Sequence, residues 1–208
     1  MIPRYQKVLF FVLLIASLAM GVVLWQLRQR AHKRMLAGLA SAPTQAPEVA
    51  PAEEATLLAA NDADNSLISQ VRSLPLPADS GARARAVLGK LLDLYAEADS
   101  AHPIPGGAAS VAQVFLLPAI GKKDPQQPDA ELAVVNLTGT FAASHPSGLE
   151  TETLTLLSIC GTLRANLPRI SQVRFLVDGQ PRATLAGHAD LSRTYLAAEA
   201  VPTAEGAH

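Results

Sequence analysis

Three runs between Glu131 and Asp190 decide how this chain folds: ELAVVNLTGTF from 131, SGLETETLTLLSICGTLRANLP from 147 and SQVRFLVDGQPRATLAGHAD from 171. Glu131 to Leu137 has the length and apolar content of a strand. Ser147 and Glu150 form a capping box: the hydroxyl can take the third helical amide, and the carboxylate can reach back to the cap amide. The helix they start carries Leu149, Thr153, Leu156, Leu157, Cys160, Leu163 and Leu167 along one side. Pro168 stops it, because proline lacks the amide and clashes with the preceding turn. Val173, Phe175 and Val177 then alternate as the buried side of a strand, and Asp178-Gly179 is a hairpin-turn pair. A last short strand over 182–186 would complete the hairpin.

Upstream, the chain repeats the same grammar. TLLAA at 56–60 reads as a short first strand. Ser66 to Leu74 reads as a second, ended by the prolines at 75 and 77. Asp79 or Ser80 caps a helix running to about Ala98, with Ala84, Val87, Leu88, Leu91, Leu94, Tyr95 and Ala98 at helical spacing. His102 to Gly107 is a proline- and glycine-bearing loop, Val111 to Leu117 is a strand, and Pro118 to Ala130 is a long polar loop holding Lys122 and Lys123. The order predicts an α+β fold, a small mixed or antiparallel sheet with two helices packed on one face.

The other end of the chain differs in kind. Val8 to Leu27 is a run of 20 residues without a charge. As a helix it is about 30 Å long, the thickness of a bilayer's hydrocarbon core. It predicts one transmembrane anchor within residues 1–30, with Trp25 at an interface. The run exceeds the apolar core of a cleavable signal peptide, and no cysteine follows it for a lipid anchor. Residues 31–63 form a linker rich in Pro, Ala and Glu, too polar to offset its own chain entropy. The expected boundaries are therefore anchor 1–30, linker 31–63, domain 64–195 and disordered tail 196–208.

Composition excludes several roles. The 208 residues carry a net charge of −1, so nothing draws the chain toward nucleic acid. Aromatic residues make up 4%, too few for a base-stacking platform. Cys160 is the single cysteine, which rules out an internal disulfide and any paired-cysteine zinc site. Cys160 and Ser158 lie mid-helix, not on a nucleophile elbow. No cofactor or metal is expected. His188 and Asp190 are the His/Asp pair next to a predicted turn. They are the candidates for a ligand or partner site, with His145 as a conceivable third member.

As a whole, 56–195 resembles the GerMN domain family of spore-germination and sporulation proteins. AVVNLTGTF (133–141) is similar to the family's pre-helix strand, with Asn136 and Thr138 as variants. Gly148 with Glu150 and Glu152 is similar to its helix start, and Thr162-Leu163 to its helix end. Val173 to Gly179 matches V-x-F-L-V-D-G, and Gly187, His188 and Asp190 match G-H-x-D. The first half is more diverged, and the 119–130 loop is longer than the family's.

The resemblance implies a non-enzymatic extracytoplasmic module, similar to the ring-building motifs that stack through sheet edges and helix faces. Lys and Arg flanking the anchor favour a cytoplasmic C-terminal side. The resemblance favours the opposite, and the expectation follows it: a single-pass protein of the cytoplasmic membrane, bulk outside, associating with itself or an envelope complex. The competing expectation is an envelope ligand-binding or hydrolytic protein. It requires a polar pocket joining His188, Asp190 and the 103–109 loop.

Overall fold

The computed structural model describes residues 51–119 and 127–200, together with Met20. Apart from Met20, the expected anchor Val8–Leu27 lies outside the described residues, as do most of the linker, the loop 120–126 and residues 201–208. Among the described residues no helix is long and apolar enough to cross a membrane.

Among the described residues the domain is α+β, with two sheets and three helices. Strands β1 (Ala52–Asn61) and β2 (Ser66–Pro75) form an antiparallel ribbon, paired from Ala52↔Pro75 to Asn61↔Ser66. Helix α1 (Ser80–Ala96) follows, its first turn capped by Asp79, which accepts from the Ala82 amide at 2.7 Å. A 3-10 turn (Gly107–Ser110) leads into β3 (Val111–Pro118), which pairs antiparallel with β4 (Glu131–Leu137) around a bulge near Val111. The short helix α2 (Gly139–Ser144) and the long helix α3 (Leu149–Asn166) come next. Strand β5 (Ile170–Val177) then lies parallel to β4, because α3 carries the chain back across the sheet. Strand β6 (Tyr195–Leu196) completes the order β3-β4-β5-β6, and a 3-10 turn covers Ala197–Ala200.

Several expectations change. The strands belong to two sheets rather than one. A third helix, α2, starts where Thr138 caps the Phe141 amide. The expected strand at 182–186 is absent from the described elements. Gln180 bridges Val177 and Thr184 bridges Asp190, and the edge position is taken by β6 instead. Asp178 and Gly179 do make the turn, with φ of 49° and 74°. Ala197 and Ala200 of the terminal 3-10 turn are buried. The capping box also changes members. Gly148 is the N-cap of α3, and Glu152 rather than Glu150 reaches back to its amide, at 3.2 Å. Leu149 is exposed, and the apolar positions of α3 that enter the core are Leu154, Leu156, Ile159, Cys160 and Leu163.

Helix α3 is the centre of the domain. It packs against β1 of one sheet, β5 of the other, α1 and the terminal 3-10 turn. Gly161 makes this approach possible: a Cβ there would lie 2.5 Å from Leu58 Cδ1 and 2.9 Å from the Ala200 carbonyl. A second set of α3 residues, Glu152, Thr155, Ser158 and Thr162, is polar and buried without exposed surface. With Asn166 they recur every three or four residues and so share one helical face.

That polar face seals the edge of β1 that β2 leaves open. Asn166 accepts the Thr56 amide at 3.0 Å and donates to the Thr56 carbonyl at 2.7 Å. Thr162 accepts the Leu58 amide at 2.9 Å. Tyr95 of α1 accepts the Ala60 amide at 2.9 Å, and its hydroxyl is hydrogen-bonded to Ser158. Burial pushes the Tyr95 hydroxyl up to about 12, so it stays protonated. Three alternate amides of one strand are thus matched by side chains of two helices. Thr162→Val keeps the shape and strands the Leu58 amide. It is expected to cost about 1–3 kcal/mol in urea unfolding, while Thr153→Val on the same helix stays within about 0.5 kcal/mol.

Candidate functional site

Chemistry-bearing side chains gather at the N-terminal half of α3. Glu152 has no exposed surface, yet it is a carboxylate held by five donors. Its Oε2 accepts the amides of Ala186, His188 and Ala189 at 3.0, 3.0 and 2.8 Å. Its Oε1 accepts the Gly148 amide at 3.2 Å and faces His188 Nδ1 at 3.0 Å. Burial pushes this carboxyl up, but the converging amides and the His188 ring outweigh it and hold it at about 2. Glu152 therefore clamps the 185–189 loop to α3.

A second network lies one turn further along the helix. Thr155 Oγ1 is 2.7 Å from His102 Nε2 and 2.9 Å from His145 Nε2. His102 Nδ1 lies 2.5 Å from Asp62 Oδ1, and His145 Nδ1 lies 2.7 Å from the Pro146 carbonyl. Both imidazoles are buried, and their rings meet Tyr95 and Phe141 edge-on at 4.8 and 5.4 Å. Burial pushes both below the ordinary imidazole value. Asp62 opposes this at His102, the Pro146 carbonyl opposes it at His145, and His102 lowers His145 further. Carboxylate, imidazole and hydroxyl stand here in the order of a catalytic triad. The hydroxyl, however, is mid-helix and closed to solvent, so no substrate atom can reach it.

The sequence candidates separate. His188 is spent on Glu152, with Ser147 Oγ also 3.3 Å from Nδ1. Asp190 closes a local turn, accepting the Ser192 amide and hydroxyl at 2.7 and 2.6 Å, while its carbonyl accepts from Tyr195 at 2.6 Å. His145 belongs to the Thr155 network. Cys160 is buried in the core. Among the described residues, no three His, Cys, Asp or Glu side chains are placed to hold a metal ion. A depression of about 260 Å³ is lined by Arg85, Ala86, Gly89, Lys90, Asp93 and Ala108, and by no residue of the 185–190 loop. Sequence reading missed Glu152, Asp62 and His102. The available signal was the helical spacing of Glu152, Thr155, Ser158, Thr162 and Asn166, a polar stripe on a helix already apolar elsewhere.

Two pH effects follow with opposite partners but the same sign. The Glu152 carboxyl is lowered on folding, so its contribution is full above its unfolded value and lost as pH falls from about 4 toward about 2, a loss on the order of 3 kcal/mol. Glu152→Gln is expected to flatten that part of the pH–stability curve and to loosen the 185–189 loop in amide exchange. His102 and His145 are also lowered. The unfolded chain binds their protons more readily, so stability falls as pH drops below the ordinary imidazole value, about 6.5. His145→Gln is expected to shrink that slope in thermal melts between pH 7 and 5.

The tandem GerMN domains of the sporulation protein GerM from Bacillus subtilis align with a TM-score of 0.40 and 18% identity, over 70% of this chain and 46% of that one. This chain therefore spans about half the length of that relative. The first GerMN domain of the same protein aligns with a TM-score of 0.35 and 20% identity, over 68% of this chain and 98% of that one. No curated protein matches it. The family model described as Germane, sporulation and spore germination, matches residues 56–183, well over half of the sequence, and the chain belongs to that family.

Proposed function

We propose that the domain is a non-enzymatic assembly module of the cell envelope, tethered by Val8–Leu27 with its bulk outside the cytoplasm. One observation carries the reading. The described edge strand β3 exposes Phe115 and Leu117, at 44% and 48%. The β3–β4 register sets Phe115 beside Val134 and Leu117 beside Leu132, and both pairs lie on the sheet face opposite Val114 and Val135. An apolar strip on an edge strand, open on one side, is the ordinary substrate for protein association. The family description, sporulation and spore germination, is compatible with an envelope role.

The competing reading, a ligand-binding or hydrolytic protein, needs free polar groups around His188 and Asp190. Both have internal partners, which favours assembly. A photo-crosslinking amino acid at 115 or 117 of the full-length protein in its own cells is expected to give protein adducts. Phe115→Lys with Leu117→Lys is expected to abolish the association with little change in Tm. Lipid adducts alone from both positions would sink the proposal.

A further inference from the structure

Four contacts run in series from the surface inward: Asp62 Oδ1 to His102 Nδ1 at 2.5 Å, His102 Nε2 to Thr155 Oγ1 at 2.7 Å, Thr155 Oγ1 to His145 Nε2 at 2.9 Å, and His145 Nδ1 to the Pro146 carbonyl at 2.7 Å. Each contact needs one hydrogen. A carboxylate and a carbonyl only accept, so both Nδ1 atoms must carry theirs. A neutral imidazole has a single N–H, which leaves both Nε2 atoms bare. They then face one hydroxyl with one hydrogen between them. The Thr151 carbonyl, 3.0 Å from the same hydroxyl, competes for that hydrogen. Three protons serve four contacts, and the neutral network is one short.

We infer that Thr155 joins His102 and His145 into a single proton-binding unit, an acid-sensitive switch between the β1–β2 turn and helix α3. One added proton on His102 completes the series. His102 then donates at both nitrogens, Thr155 donates to His145, and His145 donates to Pro146. Asp62 is the counter-charge, and its half-exposed side chain is the point of proton entry. A second proton sets two imidazolium charges on either side of one hydroxyl. The groups facing them are Asp62 from the turn, the protonated Tyr95 hydroxyl and ring of α1, the Phe141 ring of α2, and Glu152 of α3. Glu152 is already committed to the 185–189 loop and His188. The second proton therefore breaks the junction that the first completes.

The test is an NMR titration of the full-length chain in detergent solution, with its five histidines labelled at Cε1 and assigned by substitution. His102 and His145 are expected to titrate in two shared steps, each visible in both signals. Thr155→Val removes the shared hydroxyl and moves the first step to lower pH, with roughly tenfold weaker proton binding. Thr155→Ser restores it. If Thr155→Val does not fold, His145→Gln replaces it and leaves His102 a single step. Separate single-step curves in the unsubstituted chain, an unmoved first step in Thr155→Val, or two steps surviving in His145→Gln would each overturn the switch.

Discussion

The domain depends on how helix α3 satisfies a strand edge. Strand β1 pairs with β2 on one side only, and its other side would leave alternate amides without acceptors inside the protein. A buried amide without a partner costs about as much as a hydrogen bond is worth, and usually more. Asn166, Thr162 and the Tyr95–Ser158 pair supply the acceptors. Helix α3 is therefore buried on two sides with two chemistries: leucine, isoleucine and cysteine for the shared core, and hydroxyl, amide and carboxylate for the ribbon and loops. Gly161 lets the two elements come close enough for short side chains to reach.

The same stripe explains why site-like chemistry along α3 is closed to solvent. Toward its N-terminal end the acceptors become Thr155 and Glu152, and the elements they fasten become the histidine loops and the 185–189 loop. A carboxylate held at about 2, two lowered imidazoles and a raised tyrosine would mark a catalytic cleft if they were open to solvent. Here they are closed in, and their perturbation reports burial and internal partners. Large apolar side chains are nonetheless exposed on both sheets: Phe115 and Leu117 on one, Ile68 and Val71 on the other.

The strands and long helices were legible because period and caps are local. Ser66 to Leu74, Glu131 to Leu137 and the Asp178-Gly179 turn stand where alternation and turn chemistry put them. The separation into two sheets was not legible, since it depends on which helix fills the edge of β1, a contact across more than a hundred residues. Glu150 and Glu152 look equivalent as first-turn acids. Only the position of the 185–189 loop decides that one clamps it and the other reaches Asn65 at the surface. His188 was legible as unusual, but its partner was not. His102 looked like part of a loop because its network is assembled from the turn, the connection before α3 and α3 itself.

Side chains of α3 and α1 close one edge of the β1–β2 ribbon and leave the other open. The register places Thr56, Leu58 and Ala60 opposite Val71, Ser69 and Leu67, so the amides of the two sets point away from each other. Native-state amide hydrogen exchange separates them directly. Thr56, Leu58 and Ala60 are expected to exchange as slowly as the amides of central strand β5, through global unfolding, while Leu67, Ser69 and Val71 exchange orders of magnitude faster. Equal, fast exchange at both edges would mean that the helices leave the β1 edge open.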